Sequence, residues 1–343
     1  MRKLLNVLYI TLPEVFVFLE NENVCIKKDN QLLFKVPLLN LESIVCFNYP
    51  GVTPQLMGEC AKRNISITFL NEYGRFLGSF YGHIKGNVLL RKEQYRISDQ
   101  DNKNISYAKN FVFGKLHNQK WVIERAIRDH PLRINEQKLK EASLQITNNM
   151  KQVLICQDKD ELRAIEGKAA QSYFKVFDEL ILQNKDKFFF IKRTRRPPAD
   201  PVNALLSFAY SLLANECKNA LESVGLDSYV GFFHTDRPGR ASLSLDLMEE
   251  LRPHFADKFV LSMINRKEIL PDDFDLQESG AVLLKNDARK RFLSAWQDRK
   301  KEKITHPFLN EKIEWGLMPY VQALLLSRTI RKDLEEYPCF LWK

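Results

Sequence analysis

Short apolar runs broken by polar clusters open the chain. "LLNVLYIT", "EVFVFLE", "VCIKK", "LLFKVP", "SIVCF", "ISITFL" and "RFLGSFYG" follow one another over residues 1 to about 85. Each is rich in Val, Ile, Phe and Leu, and clusters such as "NEN" and "KKDNQ" separate them, which predicts a series of strands. One helix is predicted within the series, "TPQLMGECAKRN", with Thr53 as its cap and Pro54 in its first turn. From about residue 100 the spacing lengthens. "KNFVFGKLHNQKWVIERAIRD" and "EQKLKEASLQITNNMKQVLIC" carry apolar residues three and four apart, the period of amphipathic helices. "NALLSFAYSLLANECKNALESVGL" is the clearest of these, with Asp200 placed to cap it, Pro201 in its first turn and Gly225 at its end. The pattern predicts an α+β protein, a small β-rich domain followed by a larger helical one. The expected division is 1–90 for the first, 91–104 for a linker and 105–343 for the second.

Composition changes this picture mainly through charge. The 343 residues are 45% hydrophobic and 28% charged, enough for a sizeable core and about two domains. The net charge of +9 favours a polyanionic partner, nucleic acid or an anionic membrane surface. No stretch approaches the roughly 20 apolar residues of a spanning helix. The N-terminal "MRKLLNVLYITLPEVFVFLE" has a basic start but no small-residue cleavage site, so it reads as strands of a cytoplasmic protein. Six scattered cysteines form no C-x-x-C pair, which speaks against a zinc ribbon and a disulfide framework.

Candidate chemistry gathers in "FFHTDRPGRASLSLDLMEELRP", residues 232–253. Leu243, Leu247 and Leu251 mark one face of a helix; Asp246 and Glu249, three apart, share another. The Pro238-Gly239 turn can fold His234 back over the start of that helix. A second helix, "ELRAIEGKAAQSYFKVF", offers Glu166 beside Gly167, Ala169 and Ala170, small residues that let a neighbouring helix come close. Two or three carboxylates with one histidine suit Mn²⁺ or Mg²⁺ better than zinc, and such ions promote phosphodiester chemistry. The run "IKRTRRPPADP" places Arg193, Arg195 and Arg196 where phosphates could be held. Plainer readings stand beside these. A histidine before a turn is ordinarily solvated, Asp246 and Glu249 can be a solvated helix face, and Glu166 can pair along its own helix with Arg163 or Lys168. The arginine run is equally a solubilising loop, and Tyr173, Phe174 and Trp296 suit packing better than base stacking.

"AIEGKAAQSYF", "RRPPADPVNALLSFAYSLLANE", "GLDSYVGFFHTDRPGRASLSLDLMEELRP" and "YVQALLLSRTIR" occur in that order. With these motifs the whole chain resembles the CRISPR-associated endonuclease/integrase of spacer acquisition, the larger subunit of the adaptation complex. It is similar in particular to members from type I-C systems. The resemblance implies an N-terminal β-sandwich-like dimerisation domain and a C-terminal all-helical catalytic domain. It implies a homodimer and a heterohexamer with the small ferredoxin-like second subunit, acting on double-stranded DNA with Mn²⁺ or Mg²⁺. By the same resemblance Glu166, His234 and Glu249 are the expected metal ligands, and Asp246 is a further catalytic acid. Asn203 and Arg240 match polar positions lining the site, and with Arg193, Arg195 and Arg196 of the basic run they are the expected DNA-binding residues. The loop "TDRPGRA" is long for the family, and Glu249 stands where many members carry Asp. A DNA-binding scaffold without catalysis and a stand-alone repair nuclease remain the alternatives.

Overall fold

The computed structural model describes residues 7–47, 50–71, 76–82, 88–195 and 197–343. Arg196 and His83 lie outside the described residues. The chain divides into two compact units, one of residues 1–85, 290–303 and 314–317, the other of 86–289, 304–313 and 318–343.

The apolar runs of the first unit are strands: β1 (Val7–Ile10), β2 (Phe16–Glu20), β3 (Asn23–Lys28), β4 (Gln31–Pro37), β5 (Ser43–Cys46), β6 (Gly51–Val52), β7 (Ser66–Leu70) and β8 (Phe76–Phe80). They form two four-stranded sheets, β1-β5-β7-β8 and β4-β3-β2-β6. The polar clusters are the turns. Asn21-Glu22 joins β2 to β3 and Asp29-Asn30 joins β3 to β4, and all four residues have positive φ, from 46° to 63°. Two-residue hairpin loops need that left-handed backbone to match strand twist, and Asn and Asp tolerate it best. Both sheets share one core, built from Ile10, Val17, Val24, Ile44 and Ile67, with Leu56 and Cys60 added by α1 (Pro54–Lys62). The α1 cap is Thr53, whose hydroxyl accepts from the Leu56 amide at 3.3 Å.

The second unit is mostly helical. Its helices are α2 (Val88–Ser98), α3 (Asp101–Asp129), α4 (Glu136–Ile155), α5 (Lys159–Lys175), α6 (Pro201–Ser223), α7 (Ser242–Arg252) and α8 (Lys258–Asn265). A short antiparallel ribbon follows, β9 (Phe274–Leu276) with β10 (Val282–Leu284). After it come α9 (Asn286–Lys301), which belongs to the first unit from residue 290 on, then β11 (Lys303–Thr305), β12 (Lys312–Glu314) and α10 (Met318–Ile330). Residues 91–104, expected as a linker, are instead α2 and the first turn of α3. Gln94 explains why that stretch is ordered: its buried amide donates to the carbonyls of Asp227 and Val230 at 2.8 and 2.9 Å. The α6 cap is Asp200, which accepts from the Asn203 amide at 2.7 Å, and Gly225 leaves the helix at φ 88°.

Helix α3 packs against α4, α5 and α7, and α7 in turn against α6. Helices α3 and α7 come close at Gly114, where a Cβ would lie 2.9 Å from the Cβ of Glu250 and 3.3 Å from that of Cys339. Gly167, expected at such a contact, instead faces open space. Beyond α10 the chain folds back over the start of this contact. Asn118 donates to the carbonyls of Glu250 and Phe340, and its own oxygen accepts from the Trp342 amide at 3.0 Å. No disulfide forms: all six cysteines are free, and five of them are buried.

Candidate active site

Nearly every residue of α7 is buried, so Asp246 and Glu249 are not a solvated face. Asp246 is wholly buried and holds the preceding loop. Its Oδ2 accepts from the amides of Phe232 and Phe233 at 2.7 and 3.0 Å, and its Oδ1 from the amide of His234 at 2.9 Å. The same Oδ1 lies 2.6 Å from His234 Nδ1. A carboxylate at that distance accepts, so Nδ1 carries the hydrogen and the lone pair of neutral His234 is on Nε2. Gly231 permits this approach, because a Cβ there would come within 2.7 Å of the Ser242 Cβ and 3.0 Å of Asp246 Oδ2. The Pro238-Gly239 turn closes the loop, with Gly239 at φ 76° and the Ser242 hydroxyl donating to the Thr235 carbonyl at 3.2 Å.

His234 Nε2 lies 3.8 Å from Glu249 Oε1. That oxygen also accepts from Arg252 at 2.8 Å. Glu249 Oε2 lies 2.8 Å from the ammonium of Lys115 on α3, which forms a second ion pair with Glu166 on α5. The Lys115–Oε2 contact lacks hydrogen-bond geometry, so Oε2 is a buried oxygen without a hydrogen bond. Burial alone would raise the Glu249 carboxyl. The charges of Arg252 and Lys115 outweigh it and hold the group at about 2. Arg163 pairs with Asp160 and with the Thr235 hydroxyl, so Glu166 is not its helix partner.

Arg252 stacks its guanidinium 4.9 Å from the ring centre of Tyr210. Tyr210 and Tyr173 both donate to the buried carboxylate of Asp257, at 2.5 and 3.1 Å. Burial raises Asp257 to about 6 against the pull of those hydrogen bonds and of Arg252. Tyr173 is thus part of the scaffold, as the packing reading had it.

Glu166, His234, Asp246 and Glu249 therefore come together from α5, the 231–241 loop and α7. The arginine run begins at Arg193, which bonds to Asn203. Asn203 is fully buried and braces the run: its oxygen accepts from Thr194 and Arg193, and its amide donates to Lys192 and Asp200. With its polar atoms spent inside the fold, Asn203 is not a DNA-facing residue. Arg193 is half-buried, bonded to Asn203 and Ser207 and stacked on Tyr210. Arg195 is exposed and Arg240 half-buried. Lys115 and Arg252 escaped sequence reasoning. The signal was a lysine in phase with Phe111, Val112 and Val122, a polar residue at a core position of α3.

Among the described residues, no three histidine, cysteine or acidic side chains already close on one point as a metal cage would. The donor set nonetheless fits a hard divalent ion: two carboxylates drawn to one ammonium, and an imidazole whose far nitrogen is fixed by a carboxylate.

A family model described as CRISPR associated protein Cas1 matches residues 8–298. A curated CRISPR-associated endonuclease Cas1 of Chlorobaculum tepidum is 45% identical over 343 residues, the full length of both chains. A solved Cas1 protein of Thermotoga maritima has the same fold, with a TM-score of 0.83 at 20% identity, covering 97% of this chain and 99% of that one. So does a chain of a Cas6-RT-Cas1–Cas2 complex, with a TM-score of 0.81 at 23% identity, covering 98% of this chain and 36% of that one. On the family model and the full-length relative together, the chain belongs to the Cas1 family of CRISPR-associated proteins.

Proposed function

We propose that this protein is a nuclease/integrase of CRISPR adaptation that joins short duplex DNA to a repeat array in a divalent-metal-dependent reaction. The observation that carries the reading is that Lys115 ties Glu166 to Glu249 while His234, fixed by Asp246, brings Nε2 within 3.8 Å of Glu249, in a chain 45% identical to a curated endonuclease. Glu166, Glu249 and Nε2 of His234 would hold Mn²⁺ or Mg²⁺. The ion, when bound, would polarise a phosphoryl oxygen and offset the charge of the carboxylates beside DNA.

The chain's own residues do the rest. Asp246 keeps the Nε2 lone pair pointed at the site, and Arg252 keeps Glu249 ionised. Arg195 and Arg240 offer charge to DNA phosphates. A 3′-hydroxyl oxygen of the incoming DNA bonds to a target phosphorus; the bond from phosphorus to the 3′-oxygen of the target strand breaks, and that oxygen takes up a proton. Water in place of the hydroxyl gives cleavage. The β-rich unit serves as the dimerisation domain. The small second adaptation subunit completes a heterohexamer, in keeping with a fold that also occurs in a complex named for Cas2. A type I-C setting completes the proposal.

The test is integration of 3′-hydroxyl duplex into a supercoiled array plasmid, with and without metal and partner. Wild type is expected to join DNA only with metal. Glu166→Ala, His234→Ala and Glu249→Ala are expected to bind DNA and not join it. His234→Ala is the cleanest, since it strands no buried charge. Binding without joining under Mn²⁺ or Mg²⁺, with partner present, would leave a DNA-binding scaffold. Joining or cutting that ignores the partner would favour a repair nuclease.

A further inference from the structure

Lys115 occupies the centre of the acidic cluster. It arises from the middle of α3, is 3% exposed, and reaches Glu166 on α5 and Glu249 on α7 with one ammonium. No other partner of that ammonium is needed to account for its burial. A buried lysine is costly unless its charge is matched, and here two carboxylates match it. The converse matters more. Without Lys115, Glu166 and Glu249 would be like charges facing one point, with only Arg252 beside Glu249. The lysine is an internal cation that draws three helices together.

If, as proposed above, Glu166 and Glu249 take a divalent ion, the ion and the ammonium compete for the same ground. Mg²⁺ or Mn²⁺ binds carboxylate oxygen at about 2.0–2.2 Å. The oxygens an ion would need to bridge are those already drawn to Nζ, 2.8 Å away in the case of Glu249 Oε2. A dication and an ammonium cannot share that point, since their repulsion at contact distance in a buried site is large. The four-carbon stem of lysine lets the head leave while the backbone stays.

We propose that Lys115 is a positioning residue that stands in for the metal, holding Glu166 and Glu249 together until the ion displaces it. It makes the metal-free protein stable at the expense of metal affinity. The site then loads only where free ion is ample.

The test is direct metal binding and stability on the full chain, using Mn²⁺ alone by calorimetry and thermal unfolding with and without Mn²⁺. Lys115→Met keeps the stem and removes the charge. It is expected to melt roughly 5 °C or more below wild type without metal. It is expected to bind Mn²⁺ about tenfold or more tightly, and so to gain more from added Mn²⁺ than wild type does. Should Lys115→Met fail to fold without metal, Lys115→Met with Glu166→Gln removes one charge of each sign and is expected to restore metal-free stability. Failure of that pair to recover, or Mn²⁺ binding by Lys115→Met that is unchanged or weaker, overturns the stand-in role. His234→Ala separates the two claims. Mn²⁺ affinity that depends on His234 but not on Lys115 sinks only the inference about the lysine. Affinity indifferent to His234 sinks the metal site and the inference with it.

Discussion

Asp246 spends both of its oxygens on the loop that carries His234, three backbone amides and one ring nitrogen in all. No lone pair of good geometry is left for a metal, so in the proposed site its part is to aim the histidine. Asp246→Asn tests this. The amide group would face donors where the carboxylate accepted, and the charge that favours Nδ1–H would be gone. Mn²⁺ affinity is expected to fall by about 10–100-fold, the usual cost of losing such a support. Unchanged affinity by calorimetry would make Asp246 a loop anchor and nothing more. His234, Asp246, Glu249 and Glu166 stood out as candidates in the sequence because their motifs resemble those of a known family; residue pattern alone left each of them a plain alternative. Lys115 was not legible as a partner because its two contacts lie 51 and 134 positions away, on helices whose packing no local pattern fixes.

Helices α3 and α7 are where the second unit's geometry is set. Gly114 lets them touch, and Lys115, one residue on, aims between Glu166 and Glu249. Gly114→Ala would drive a methyl against the Glu250 side chain, whose carboxylate is pinned by Gln322 at 3.0 Å and by the Phe340 amide at 2.7 Å. The neighbour has little room to give, so overpacking is expected to cost about 1–3 kcal/mol. Chemical denaturation would measure it; a gain in stability, as helix propensity alone predicts for Gly to Ala, would show the contact to be slack. The helices themselves were legible from period and caps, Thr53 and Asp200 included. The contacts were not. Gly167 and Gly114 look alike in sequence, and only the fold puts one in the open and the other under a neighbour. The same holds for Asn203, which sits in a motif that suggested a DNA contact and is consumed inside the fold. The short β9–β10 ribbon was missed because three-residue strands carry too few alternating positions to show a period.

For the whole molecule, the two textures of the sequence became a β-rich unit and a mostly helical one, while no helix among the described residues is long and apolar enough to cross a membrane. The helical unit also carries a stability term that no local pattern announces. Glu250 is fully buried, and burial pushes it from an ordinary 4.5 to about 7, although Gln322, Tyr337 and the Phe340 amide all donate to it. Burial moves Asp257 the same way, to about 6. A carboxyl raised in the folded state binds its proton more tightly there than in the unfolded chain. Its contribution to stability is therefore full below about pH 4.5 and lost as the pH rises through 7. Glu249 has the opposite sign but is held at about 2, so its contribution stays intact throughout this window. Glu250 alone is expected to take about 3 kcal/mol from stability between pH 5 and 8, at roughly 1.4 kcal/mol per pH unit, against the opposite contribution of His117, His254 and His306, which burial holds below the ordinary imidazole range. Glu250→Gln is neutral at every pH and can still accept from the Phe340 amide. Across pH 5–8 the melting temperature of wild type should fall steadily relative to that of Glu250→Gln, with the variant the more stable of the two at pH 8. Parallel slopes would mean that Glu250 is already ionised at pH 5, its three donors having outweighed its burial.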